Sequence, residues 1–325
     1  IHYMSFYQDF KNTILDITND NFSDRSLALF DYQYHTNEIY RSYCSHLKIE
    51  KSEILQIEDI PFLPIEFFKK NEIKSEQWNA EKVFISSGTT QGKKSKNLVR
   101  DLDFFRQMTK KTYEQFYGPL DQQIILALLP SYLEQGHSSL VEMVNHFLTH
   151  AQNGSGYINI DDQNMDHIFN DATKKTLIGV SYALLDFAAK KPSSKNLSIM
   201  ETGGMKGRKK EIVREQLHHM IDQGFHPKNL FTEYGMTELY SQAYAKENGN
   251  LMFPAWARCL IRDINDPFTL TKKDMTGGIN IIDLANISTC AFIETKDLGR
   301  KVDDFKFKVM GRFDDSEIRG CNQLF

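Results

Sequence analysis

The feature that most constrains this chain is an alternation of apolar runs and amphipathic stretches. Runs of strand length stand at IILALL (124–129), TLIGVS (176–181) and LSIMET (197–202). Around them lie stretches of helical length and period at 101–117, 138–151 and 209–224. In the last, Ile212, Val213, Leu217, Met220 and Ile221 make one apolar stripe, and Gly224 is expected to close the helix. Strands alternating with helices predict an α/β fold with largely parallel sheets covered by helices on both faces. Residues 24–47 carry Leu27, Phe30, Tyr34, Ile39 and Tyr43 at helical intervals, and Pro61 and Pro64 predict an extended arm after them. Beyond residue 250 the runs ARCLIRDI, GGINIIDL, CAFIET and FKFKVM predict a β-rich C-terminal subregion. The expected organisation is a helical and extended N-terminal arm over 1–80 packed on the core, a main module over 81–310 and a hinge-like tail over 311–325.

In sheets of this kind ligands bind beyond the carboxyl ends of the strands. Three loops follow strands in that way: SSGTTQGKKS after Val83–Ile85, ETGGMKGR (201–208) and TEYGMTE (232–238). The first has the chemistry of an anion cradle. Ser86, Ser87, Thr89 and Thr90 can donate hydrogen bonds, small residues admit the backbone, and Lys93 and Lys94 supply charge. It is not a Walker loop, because Gly88 and Gly92 enclose three residues where that motif needs four. A solvated basic turn fits the same composition. Convergence of the three loops on one crevice favours the anion site.

Composition excludes several classes. A net charge of −4 gives no general pull toward nucleic acid. No run approaches the eighteen apolar residues of a membrane span. The cysteines are Cys44, Cys259, Cys290 and Cys321, none in a CxxC pair, so neither a zinc knuckle nor a disulfide framework is indicated and a reduced, cytoplasmic enzyme is expected. His146 and His150 have chelating spacing on an expected helix, with no third ligand nearby in the sequence.

Four segments, in one order, resemble the adenylate-forming (ANL) superfamily of acyl-CoA synthetases, firefly luciferase and peptide-synthetase adenylation domains. They are Ser86 to Ser95, matching (T/S)SGTTGxPKG with Gln91 for glycine and Lys93 for proline, and Tyr234-Gly235-Met236-Thr237-Glu238, matching YGxTE. Thr295 to Arg300 matches TGDLxR with Lys296 for glycine, and Met310 to Asp314 with Ile318-Arg319-Gly320 is similar to GRxDxxIKxRG. The resemblance implies ATP and Mg²⁺. Ser86, Ser87, Gly88, Thr89 and Thr90 would hold the β- and γ-phosphates. Gly203 and Gly204 would line the nucleotide site, Gly204 also on the substrate side. Tyr234, Gly235 and Met236 would border the adenine, Thr237 would bond a phosphate and Glu238 would hold Mg²⁺. Asp297 would accept the ribose hydroxyls, with Arg312 near the nucleotide. Lys94 matches the motif lysine and is expected to assist catalysis.

Within the superfamily, IPFLPIEFFK (60–69), LPSYLEQGHSSL (129–140), ETGGMKGR and the terminal IRGC (318–321) are similar to the acyl-protein synthetases of the LuxE type. That family activates a fatty acyl group as its adenylate and carries it on a cysteine near the C-terminus, a position that Cys321 occupies here. His137 falls where the family often places a residue against the acyl substrate, or else caps the following helix. Ordinary superfamily members continue into a mobile domain bearing a lysine. This sequence stops five residues after Gly320, as acyl-protein synthetases do, which implies that the domain is absent. Lys94, Lys206 and Arg208 are then candidates for the cation at the α-phosphate, unless a partner supplies it. The acyl acceptor would be a protein, a reductase or CoA. A free-standing acid–CoA ligase like the phenylacetate–CoA ligases, and a non-catalytic nucleotide-binding scaffold, are the alternatives.

Overall fold

The computed structural model describes residues 3–87, 93–130, 136–160, 173–190, 196–203, 214–271 and 274–313. Helices α1 (Tyr3–Asn12), α2 (Phe22–Thr36) and α3 (Glu38–His46) precede strand β1 (Leu63–Pro64) and the short helix α4 (Phe67–Lys70). There follow β2 (Lys82–Ile85), β3 (Lys96–Val99), α5 (Leu102–Tyr117), β4 (Ile124–Leu128), α6 (Ser139–His150) and β5 (Gly156–Tyr157). Next come β6 (Lys175–Val180), α7 (Ser181–Ala188), β7 (Leu197–Thr202), α8 (Arg214–Phe225), β8 (Asn229–Tyr234), β9 (Ala243–Ala245) and β10 (Leu251–Met252). The last strands are β11 (Ala257–Arg262), β12 (Thr276–Asp283), β13 (Phe292–Lys301) and β14 (Lys306–Arg312). Two compact units result: one from the described residues of Ile1–Ala80 and Met252–Phe325, the other from those of Glu81–Leu251.

The second unit holds the parallel sheet, in the order β5-β4-β6-β7-β8, with β9 antiparallel on β8. Every residue of β6 and β7 is buried, the polar Lys175, Thr176, Ser198, Glu201 and Thr202 included, so both faces of these strands are covered. Helix α5 starts where the Asp101 carboxylate accepts from Phe104 N at 2.8 Å, and α6 where Ser138 Oγ accepts from Val141 N at 3.4 Å. Helix α8 does not end at Gly224. It runs on to Phe225, and Gly224 is buried where a Cβ would lie 2.5 Å from the Ala188 carbonyl of α7. The glycine serves close helix approach rather than a cap. Met220, assigned to the apolar stripe, is exposed, and Ile212 and Val213 lie outside the described residues. A second correction concerns β2, which pairs antiparallel with β3 in a separate two-stranded sheet.

In the first unit β11-β12-β13-β14 form an antiparallel meander, and β1 adds to β13 in parallel, with Leu63 opposite Ile293. The helical stretch expected over 24–47 is two helices. Asn37 separates them, because its side-chain oxygen caps α3 by accepting from Tyr40 N at 3.0 Å while Nδ2 donates to Thr289 O at 2.8 Å. Gln33, fully buried, likewise donates to Asn286 O and accepts from Ala291 N. These amide bonds fix the N-terminal helices to the β12–β13 connection. Tyr40 stacks on Phe292 at 6.0 Å, so the aromatic face of the arm is core. Among the described residues no helix is long and apolar enough to cross a membrane.

Candidate active site

In the β2–β3 hairpin, Ser86 and Ser95 face each other across the two strand ends that flank the serine-rich segment. Ser86 N donates to Ser95 O at 3.0 Å, and Ser95 N donates to Ser86 Oγ at 3.0 Å. Ser86 is thus an acceptor toward the chain, and its own hydroxyl proton is directed elsewhere. Ser87 is half-buried, whereas Lys93 and Lys94 are exposed. Gly88, Thr89 and Thr90 lie outside the described residues. From the same hairpin, fully buried Asn97 donates Nδ2 to Thr237 O at 3.0 Å, which ties β3 to the YGMTE turn. His137 adjoins the other strand: its carbonyl accepts from Ile85 N at 2.9 Å and its Nδ1 lies 3.3 Å from Val83 O. Ser138, not His137, caps α6.

Parallel register organises the ends of β7 and β8. Glu201 is opposite Thr232 and Thr202 opposite Glu233, so each pair shares a face. Thr202 Oγ1 donates to the Glu233 carboxylate. Burial pushes the Glu233 carboxyl up to about 7, the Thr202 bond pulls against it, and the charge of Glu201 adds to the rise. On the opposite face Ser181 Oγ, at the start of α7, lies 2.6 Å from Glu201 Oε1 and 2.5 Å from Gly203 O. His218 Nε2, on α8, lies 3.8 Å from Glu201 Oε2 and 3.3 Å from Thr232 Oγ1. Gly203 takes φ 68°, a left-handed conformation suited to glycine. At Gly235 a Cβ would collide with Glu233 Oε1, so a side chain there would have to displace that carboxylate. Tyr234, Met236 and Thr237 are half-buried, Gly235 is exposed and Glu238 is 3% exposed. Gly204, Lys206 and Arg208 lie outside the described residues.

Glu201, Glu233, Thr202, Ser181 and His218 were not singled out by sequence reasoning. The available signal was an acidic residue inside each of two strand-like runs, LSIMET and NLFTEY.

In the first unit Asp297 is 8% exposed and its Oδ1 accepts from Arg312 Nε at 3.0 Å, its partner across the β13–β14 register. Asp297 N donates to Thr295 Oγ1 at 3.1 Å, and Thr295 Oγ1 donates to Ile279 O at 2.9 Å. Lys296, which stands for the motif glycine, reaches away to Glu66 at 2.7 Å. A cavity of about 300 Å³ lined by residues including Tyr43, Ile54, Phe62, Phe268, Asn280 and Glu294 contains none of the expected site residues. Cys321 lies outside the described residues. Burial pushes the thiols of Cys44 (to about 12), Cys259 and Cys290 upward, so none of these three is poised as a thiolate. His146 and His150 have ring centroids 4.3 Å apart, and burial, then the charges of His150, Arg106 and Lys110, push His146 down to about 4. No group of three or more His, Cys, Asp or Glu that could hold a metal occurs among the described residues.

This architecture is that of the large domain of adenylate-forming ligases. A structure of 2-hydroxyisobutyryl-CoA ligase in complex with 2-HIB-AMP and CoA aligns at TM-score 0.66 and 12% identity, over 91% of this chain and 70% of that one. ATP-bound MatB from Rhodopseudomonas palustris aligns at 0.53 and 14% identity over 71% and 47%. O-succinylbenzoate coenzyme A synthetase from Bacillus subtilis, in complex with AMP, aligns at 0.51 and 17% identity over 73% and 50%. Within that class the chain belongs to the LuxE family of acyl-protein synthetases, whose family model matches residues 15–325. Comparison with curated proteins gives no match.

Proposed function

We propose that the protein activates a carboxylic acid of the fatty class with ATP, forming an acyl-adenylate and pyrophosphate, and passes the acyl group to a thiol. The observation that carries this reading is the Asn97–Thr237 bond, which joins the serine-rich hairpin to the YGMTE turn. In the reaction a carboxylate oxygen attacks the α-phosphorus and the bond to pyrophosphate breaks, so anions meet and require fixed cations and donors. Ser86, Ser87, Thr89 and Thr90 would donate to the phosphates, with Gly88 giving backbone access, and Lys94 would bring charge. Tyr234, Gly235 and Met236 would border the adenine, beside Gly203 and Gly204, and Thr237 would bond a phosphate. Asp297 would take the ribose hydroxyls, with Arg312 near the nucleotide. His137 and Gly204 would face the acid. Glu238, a hard oxygen donor at the end of the turn, suits Mg²⁺, which when bound supplies charge to the phosphates.

Cys321 is the proposed acyl-carrying thiol, and the raised thiols of the three described cysteines support that choice. Release to CoA is the second reading, favoured by the CoA ligases among the similar structures. The test is pyrophosphate exchange with Mg²⁺, ATP and a panel of acids from acetate to long-chain and aromatic. Exchange that depends on an acid is expected. No exchange with any acid, together with no ATP binding by calorimetry, would overturn the enzyme reading, whereas ATP binding without exchange would leave a non-catalytic nucleotide-binding scaffold. Acylation of the protein itself separates the carrier from the CoA ligase.

A further inference from the structure

We propose that Arg262 is a positioning residue for Asp297. The inference rests on the reading of Asp297 as the ribose-binding carboxylate. Arg262 ends β11 with only 5% exposure, and its guanidinium lies between β12 and β13. Nη1 donates at 2.9 Å to both Ile279 O and Asn280 Oδ1, and Nη2 donates at 2.8 Å to Thr295 O. Glu294 Oε1 stands 3.4 Å from Nη2. The Phe313 ring centroid is 5.5 Å from the guanidinium carbon.

The acceptors explain why a buried cation is kept here. The β12–β13 register shifts between Gly278 and Asn280, so Ile279 sits at a bulge and its carbonyl needs partners from outside the regular ladder. It receives two, from Arg262 and from Thr295 Oγ1. Thr295 Oγ1 in turn accepts from Asp297 N. Arg262 therefore holds Thr295 by its carbonyl and, through Ile279 O, by its hydroxyl, and that hydroxyl sets the Asp297 backbone. A planar fork can meet these fixed oxygens together, which an ammonium cannot. Gly278 makes room: a Cβ there would lie 2.3 Å from Arg262 Cζ.

Two mild variants displace the fork by different routes. Arg262→Lys keeps the charge and loses the fork, and Gly278→Ala keeps the arginine and pushes it away. Each is compared with wild type and Asp297→Asn in acid-dependent pyrophosphate exchange, with ATP and with 2′,3′-dideoxy-ATP as nucleotide. Wild type should prefer ATP by roughly tenfold or more, as one or two hydrogen bonds to the ribose allow. Asp297→Asn should erase most of that preference. Arg262→Lys and Gly278→Ala, checked as folded by thermal melting, should lower it at least threefold, mainly through KM. A general loss of structure would lower kcat for both nucleotides and leave their ratio alone. Wild-type preference in both folded variants, with the preference lost in Asp297→Asn, overturns the role of Arg262 and spares the ribose reading. Wild-type preference in Asp297→Asn overturns the ribose reading and the inference with it.

Discussion

Thr202 donates its hydroxyl to the carboxylate of Glu233 across the β7–β8 register, at the edge from which the ETGG and YGMT loops leave. The other carboxylate oxygen lies against Gly235, where a Cβ would displace it. One buried acid thereby couples the two loops through a hydroxyl on one side and a glycine on the other.

Glu233 should make stability depend on pH in a stated direction. Its folded carboxyl is raised from 4.5 to about 7 by burial. Between those values the folded state holds a proton that the unfolded chain has released. The contribution of this group is therefore greatest below about 4.5 and is lost as pH rises through about 7, by up to about 3 kcal/mol. Glu233→Gln should remove that slope and gain on wild type as pH rises. Urea unfolding of both proteins at pH 5, 6 and 8 checks it; parallel stability curves would refute the assignment.

Asn97→Ala should loosen the YGMTE turn. The Thr237 carbonyl loses its donor, a change of about 1 kcal/mol where water cannot replace it. KM for ATP in pyrophosphate exchange should rise roughly fivefold, the equivalent of that energy. An unchanged KM in a folded variant would separate the hairpin from nucleotide binding.

Gly224→Ala should destabilise the second unit despite the better helix propensity of alanine. The added methyl would meet the Ala188 backbone at 2.5 Å. Overpacking of about 1–3 kcal/mol outweighs the roughly 1 kcal/mol gained in the helix. The midpoint in urea should fall, while activity per folded molecule at low denaturant stays near wild type. A raised midpoint would mean that α7 and α8 move apart at little cost.

Cys321→Ser should keep pyrophosphate exchange and lose hydroxylamine-sensitive acylation of the protein. A thiolate is the competent nucleophile toward an acyl-adenylate, and a serine at the same place is not. Cys44→Ser, Cys259→Ser and Cys290→Ser should keep both activities, read by intact-protein mass spectrometry after incubation with ATP and acid. A thioester that persists in Cys321→Ser removes the carrier role from that residue. No adduct on wild type, with rapid turnover when CoA is added, favours the ligase.

The strands β4, β6 and β7 were legible because burial on both faces favours short, largely apolar runs between helical stretches, and that pattern is written locally. Whereas the caps Asp101 and Ser138 emerged only in the structure, Ser138 in place of His137 at α6, the helical stretches at 101–117 and 138–151 were legible from their period. The motif turn YGMTE is likewise contiguous. Asn37 shows where local reading stops: the helical periodicity of 24–47 runs through it, but its amide bonds Thr289, 252 residues away.

The sequence by itself determined the α/β class and the family, because period and motif are properties of neighbouring residues. Tertiary structure decided that β2 pairs in a hairpin outside the parallel sheet, that Gly224 serves a helix contact, and that Glu233 meets Thr202 rather than Glu201. It also decided that Arg262 donates to the carbonyl of Thr295, whose hydroxyl accepts from Asp297 N within β13. Each of these depends on register or approach between segments remote in the chain. A one-residue slip in register would send every side chain of a strand to the other face, so only the assembled sheet selects the partners.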